Sequence, residues 1–178
     1  MLAPAASALD NGRMAHESDE VDRIVGSWMT QRPDLDFSPL EVLSRVDRLS
    51  RHLDRARRDA FRRSDLEPWE WDVLSALRRS GEPFQLSPKQ LLQQTLVSSG
   101  TMTNRIDRLV GRRLVRREAD PDDGRSILVI LTEEGRTRVD AAITRLVDAE
   151  AILLQRLSRG DRDRLAALLR KLSLGFDA

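Results

Sequence analysis

The 178-residue chain contains no cysteine. That one absence removes disulfides, thiol redox chemistry and zinc–thiolate sites together. It is compatible with a reducing compartment without proving one. Histidine is scarce, and the two present, His16 and His52, lack a metal-ligand spacing. No metal site and no cofactor are therefore expected. Nor does any base lie near the serine pair Ser98–Ser99, so the nucleophile–base constellation of a hydrolytic enzyme is missing and an enzyme is not expected. Tyrosine is absent and aromatics make up only 4% of the chain, which argues against a β-sandwich and for a mostly helical protein. No apolar run approaches the ~18 residues of a membrane span. The opening MLAPAASALDNG lacks a basic n-region and a long apolar h-region. It reads as a disordered tail over residues 1–16, not as a signal peptide.

Lysine is nearly missing too: Lys89 and Lys171 are the two lysines among 30 basic residues. Arginine suits phosphate recognition, but a bias this uniform is read more economically as GC-rich coding. Net charge is only +1, so the whole chain argues neither for nor against a nucleic-acid partner. The distribution says more. Residues 98–125 hold seven arginines, whereas residues 1–36 hold seven acids against three arginines. A local basic face can bind phosphate when the total is near neutral.

Periodicity then orders the chain. Val21, Ile24, Val25 and Trp28 predict a helix over 18–31, with Ser18 and Asp19 as caps and Pro33 beyond its end. A second helix starts at Asp36–Pro39 and runs to about Arg63, with Leu40, Leu43, Val46, Leu49 and Leu53 on one face. Glu67-Pro68 opens a helix over 68–79, and a short strand is expected at Phe84–Leu86. Helices over 88–94 and 99–112 follow, the second with Met102, Ile106, Leu109 and Val110 as core candidates. Strand-like runs at Leu114–Glu118 and Ser126–Leu131 flank a turn that ends in Arg125. Thr132 caps a long helix whose apolar face extends to Leu157. Ser158–Asp161 interrupts, and 161–173 forms the last helix.

Helix, turn, helix and an arginine-tipped hairpin make the layout of a winged helix-turn-helix, with one helix for the major groove and a wing for the backbone or minor groove. The run Asp123-Gly124-Arg125, Val129, Leu131-Thr132 and Glu134-Gly135 is similar to the wing signature D-x-R-x-x-x-V-x-L-T-x-x-G of MarR-type transcriptional regulators, and Asp120-Pro121 fits before it. The resemblance covers roughly residues 38–176. It implies a mainly α fold with a small β-wing, assembled as a pyramidal homodimer that binds double-stranded DNA. Within it, 17–36 is an extra N-terminal helix and 37–178 a single MarR-type domain. Residues 66–131 are the winged lobe; 37–65 and 132–178 are dimerisation helices. The apolar stripes of the terminal helices independently exceed what a lobe of this size can cover, and a two-fold partner is the economical cover.

At the start of the second helix of the motif, Ser98, Ser99, Thr101, Thr103 and Asn104 are the candidate groove contacts. Asparagine pairs bidentately with adenine, Ser and Thr reach phosphate or base, and the threonine methyl meets the thymine methyl. Ser98 or Ser99 also suits simple helix capping, which does not exclude contact with DNA. Arg112 and Arg116, with Arg113 and Arg117, are candidate phosphate contacts or solvated charges. Arg125 either enters a narrow minor groove or pairs with Asp123 to hold the hairpin. Two recognition helices in a dimer require a pseudo-palindromic operator with half-sites about 10 bp apart.

Four further residues draw together a small-anion chemistry. Asp72 and Arg79 stand two turns apart on one helix face, and Arg105 lies on the recognition helix itself. A carboxylate near two guanidiniums and the indole of Trp28 can receive an anion that competes with Asp72 for the arginines. The bland alternatives remain: Trp28 in a core, Asp72 in a structural salt bridge, Arg105 on phosphate. The steps of 7 and 26 residues from Asp72 to Arg79 and from Arg79 to Arg105, together with the N-terminal extension, resemble the urate-responsive subgroup of MarR regulators. That resemblance implies a repressor released from DNA when a ligand such as urate or another organic acid displaces the aspartate. The flanking arginines are expected to lower the Asp72 pKa. Against the ligand-responsive regulator, which would act in the cytoplasm on the nucleoid, stand an effector-independent architectural DNA binder and a winged helix used for protein contacts.

Overall fold

In the computed structural model, which describes residues 18–95, 97–121 and 126–176, ten elements follow in order. They are α1 (Glu20–Gln31), α2 (Ser38–Arg62), α3 (Pro68–Arg79), β1 (Gln85–Leu86), α4 (Pro88–Gln94), α5 (Ser99–Gly111), β2 (Val115–Ala119), β3 (Ile127–Leu131), α6 (Glu133–Leu153) and α7 (Arg159–Ser173). The tail expected over residues 1–16, and the wing-tip residues Asp123, Gly124 and Arg125, lie outside the described residues. The chain divides into two compact units, Met1–Ser50 and Arg51–Ala178.

In the first unit, α1 begins on a reciprocal cap. Asp19 accepts from the Asp22 amide at 3.0 Å while Asp22 accepts from the Asp19 amide at 2.8 Å. Arg45 on α2 donates to Asp19 at 2.8 Å and to Asp22 at 2.6 Å, tying the start of α1 to α2. Those bonds, with Arg45 first, hold the exposed Asp19 carboxyl below the ordinary carboxylate range. At the other end of α1, Trp28 stacks on Phe37 with ring centroids 6.3 Å apart.

The second unit is built around α3. Val73, Leu74, Ala76 and Leu77 are fully buried, in one cluster with Leu91, Met102, Ile106, Leu109, Val129, Val139 and Ala142. Phe61 and Trp71 stack at 4.8 Å at its margin. Pro68 fits the first turn of α3 because its missing N–H has no intrahelical partner there. Ser87 caps α4, Ser98 caps α5 and Thr132 caps α6, each accepting an amide from its own first turn. The sheet is antiparallel in the order β1-β3-β2, with Leu86 opposite Val129 and Val115 opposite Leu131. It is the three-stranded base of a winged helix.

One glycine is demanded by packing. A Cβ on Gly135 would stand 2.1 Å from the Leu114 carbonyl oxygen, so only glycine lets α6 start against the entry to β2. Boundaries differ from the sequence reading in a few places. The long helix stops at Leu153, not near Leu157, and α7, capped by Ser158, begins at Arg159, two residues before the expected start. Val110, expected in the core, is 36% exposed, whereas Met102, Ile106 and Leu109 are buried. α6 buries Val139, Ala142 and Leu146 but leaves Ile143, Val147 and Leu153 open. α7 buries none of its side chains among the described residues. No helix among the described residues is long and apolar enough to cross a membrane.

Candidate DNA-reading face and anion cavity

α4 and α5 form the helix-turn-helix. With Met102, Ile106 and Leu109 turned into the core, the opposite edge of α5 is left to solvent. Ser98, Ser99, Thr101, Thr103 and Asn104 are all on it and all exposed. Ser98 accepts the Thr101 amide at 3.4 Å, and the two hydroxyls lie 3.0 Å apart. Thr103 donates back to the Ser99 carbonyl at 3.2 Å. The side chains of Ser99 and Asn104 make no hydrogen bond among the described residues. A first turn that presents hydroxyls and a spare amide is chemically suited to base edges in a major groove.

The arginines expected to flank this face divide. Arg116 is half exposed and pairs with Glu118 at 2.8 Å, a surface contact that phosphate can replace. Arg117 pairs with Asp107 at 2.6 Å. Arg112 turns inward: one guanidinium nitrogen donates to the buried Glu70 and the other to Asp65 at 2.6 Å. Its sequence spacing matches a phosphate contact, but its guanidinium is already occupied by acids of its own chain. Arg125 lies outside the described residues.

Three of the four anion-site candidates line one cavity of about 480 Å³, with Trp71, Ser75, Gln94, Thr95 and Val97 completing the wall. Asp72 and Arg79 come from α3 and Arg105 from α5, as the two-turn spacing requires. Arg105 Nη1 lies 3.8 Å from Asp72 Oδ2, too far for a hydrogen bond, and that buried nitrogen has no hydrogen-bond partner. An unpartnered buried guanidinium N–H beside a polar cavity calls for an explanation, because such donors are normally satisfied. Arg79 donates to Ser75 at 3.1 Å. The Asp72 carboxyl is raised, not lowered: burial by its neighbours is the largest influence and outweighs the attraction of Arg105 and then Arg79. The expected lowering fails because neither arginine makes a hydrogen bond to it. Trp28 belongs to the first unit, where it is half exposed beside Ile24, Ser27 and Gln31.

Sequence reasoning placed Trp69 among the apolar positions of helix 68–79 and missed its contact with arginines. The guanidiniums of Arg108 and Arg105 lie 4.5 Å and 5.9 Å from its ring centroid, so two arginines of α5 rest on an indole of α3. It also overlooked Glu70, a charged residue only 1% exposed. A glutamate at the third position of a helix reads as a capping-box residue, and it does bond the Glu67 amide at 2.9 Å. Nothing local announces that it meets Arg112, 42 residues away. No cluster of three or more His, Cys, Asp or Glu among the described residues could hold a metal ion.

Comparison with known proteins places this geometry. The family model described as MarR family matches residues 64–126. The HTH-type transcriptional regulator PecS of Dickeya dadantii (strain 3937) is 35% identical over 150 residues, 84% of this chain and 90% of that protein. A mutant MarR from E. coli complexed with operator DNA shares the fold with a TM-score of 0.63 at 25% identity, over 76% of this chain and 96% of that one. BpsR of Bordetella bronchiseptica, whose DNA binding is regulated by 6-hydroxynicotinic acid, aligns with a TM-score of 0.56 at 28% identity, over 72% and 98%.

Proposed function

The chain belongs to the MarR family of DNA-binding transcriptional regulators, and on that premise we propose a homodimeric repressor that leaves its operator when a small organic anion binds between α3 and α5. It is a regulator, not an enzyme. The observation that carries the ligand reading is the orphaned Arg105 Nη1 in the cavity of Asp72 and Arg79. A carboxylate or enolate oxygen that bonds this nitrogen gains two guanidiniums, while Asp72 is repelled or protonated. Arg105 sits on the helix that reads DNA, so the same contact acts on that helix. A small-acid effector is also what regulates BpsR. Urate is one member of the class; the urate-type reading adds Trp28 as a fourth ligand residue, on sequence pattern alone.

The DNA face comprises Ser98, Ser99, Thr101, Thr103, Asn104 and Arg116, with Arg125 at the wing. The winged lobe spans 66–131, and the helices of 37–65 and 132–178 serve dimerisation. Support comes from α7, where Leu165, Leu168, Leu169 and Leu172 form an exposed stripe at helical spacing. A second chain would cover it and would set two recognition helices on a pseudo-palindromic operator. The site of action is the nucleoid, in the cytoplasm.

The test is a fluorescence titration of DNA from upstream of the protein's own gene, at fixed salt, with and without urate and a panel of aromatic acids. An anion that weakens binding and raises the melting temperature supports the proposal. Arg125→Ala should lower operator affinity about tenfold, the scale of one charge-assisted contact; unchanged affinity removes Arg125 from the interface. A second reading has its own observation: Asp72 and Arg105 as a plain structural ion pair at 3.8 Å. In that case the protein is an effector-independent architectural DNA binder, and no anion shifts either readout.

A further inference from the structure

Asp65 occupies the turn between α2 and α3 with φ of 53°, and its side chain is 75% exposed. A carboxylate so open to water would ordinarily be a surface charge. Instead a single oxygen, Oδ2, receives guanidinium nitrogens from two elements: Arg112, which closes α5, and Arg138 on α6. Arg112 also donates to the Asp65 carbonyl at 2.8 Å. Behind Arg112 lies the buried carboxylate of Glu70 on α3. Arg138 is steadied by Glu134 of its own helix at 2.6 Å. Glu70, Arg112, Asp65, Arg138 and Glu134 therefore form a continuous charged chain from α3, through the end of the recognition helix, to α6.

We propose that Arg112 is a positioning residue and that Asp65 is the junction through which α6 fixes the angle of α5 against DNA. The proposal rests on α5 being the DNA-reading helix. Two attachments define an angle where one allows a pivot. The Glu70–Arg112 pair is the inner attachment, held because a buried carboxylate without its partner is costly. The Arg112–Asp65 contact, backed by Arg138 of α6, is the outer one; the Asp65 carboxylate is exposed, so it adds little to stability. Its loss loosens orientation without removing a charge from the DNA face. In a two-fold assembly, orientation of α5 is read out as tolerance of half-site spacing. A phosphate contact at Arg112 would be read out differently, as a change in salt dependence.

The experiment uses the full-length protein, a duplex selected by the wild type from a random pool, and two derivatives with half-sites moved one base pair closer or farther. Asp65→Asn is the main variant, since asparagine tolerates the left-handed backbone and leaves Glu70–Arg112 intact. Arg138→Gln removes the other side of the junction. Both are expected to reduce the preference for native spacing at least about fivefold, the scale of a modest coupling between sites. Their melting temperatures should stay within about 3 °C of wild type, and the slope of log affinity against log salt should not change. Spacing preference retained in both variants overturns the junction. Because Arg112→Gln alone strands Glu70, Arg112→Met is made together with Glu70→Gln. A salt slope lower by about one in that pair shows a phosphate contact and overturns the positioning role; an unchanged slope supports it. A variant with Thr101→Ala, Thr103→Ala and Asn104→Ala together is the control for the premise: full base discrimination in it removes α5 as the reading helix, whatever the spacing arms show.

Discussion

Helices α3 and α7 are alike in sequence and unlike in surroundings. Each spans three to four turns, starts on a capping residue and carries apolar residues at helical spacing. α3 buries Val73, Leu74, Ala76 and Leu77 completely, whereas α7 buries none of Leu165, Leu168, Leu169 and Leu172. The difference lies in what each meets. α3 stands among α4, α5, β3 and α6 and forms the centre of the core. α7 ends the described chain with its stripe open. A helix of 15 residues is marginal alone in water and needs packing to persist. The same pattern therefore means fold in one place and, on the proposed reading, a partner in the other.

That contrast can be broken by mutation. Leu74→Ala leaves a cavity at the centre of the lobe and should cost about 2–5 kcal/mol of stability. Its thermal shift should be similar at low and high protein concentration. Leu168→Asp should cost a single chain almost nothing, since Leu168 is 66% exposed. In a dimer it forfeits about 1.5–3 kcal/mol of burial per chain. Sedimentation should then show dissociation at concentrations where the wild type stays paired, with weaker operator binding. A variant that sediments like wild type would leave α7 without its proposed partner.

The smallest effect sharpens the contrast on α3 itself, whose cavity edge is open while its core face is closed. Asp72 has a raised carboxyl pKa, so its charged form opposes folding at neutral pH. The sign is fixed: the protonated form fits better, so this group's contribution improves as pH falls through the raised value and worsens as pH rises through it. Asp72→Asn should stabilise the fold slightly at neutral pH, by less than about 1 kcal/mol because the group is half exposed, and the melting temperature should rise accordingly. The gain should vanish in acid, where wild-type Asp72 is itself neutral. A gain that persists or grows in acid would contradict the assigned pKa direction.

How much was legible follows the same division. Local signals carried far: Ser98 and Thr132 fell on helix N-caps, and Met102, Ile106 and Leu109 on the buried face of α5. That Asp72 and Arg79 line one cavity was readable because they share a helix face, whereas the spacing that joined Arg105 to them came from the resemblance. The inward turn of Arg112 was not, since its partners Asp65 and Glu70 lie 47 and 42 residues away. Arginine on a basic stretch looks the same whether it meets phosphate or a buried acid. The raised Asp72 pKa was missed for a related reason: charge sign is visible in sequence, whereas desolvation and a 3.8 Å separation are not.

In the proposed regulator, two chains paired through their open helices hold one operator and release it to an anion at Arg105. Native mass measurement of the protein with its upstream duplex, before and after addition of urate or an aromatic acid, tests it most directly. The predicted result is two chains per duplex without ligand and free duplex with it. One chain per duplex, or a complex that ignores every acid tried, would contradict it.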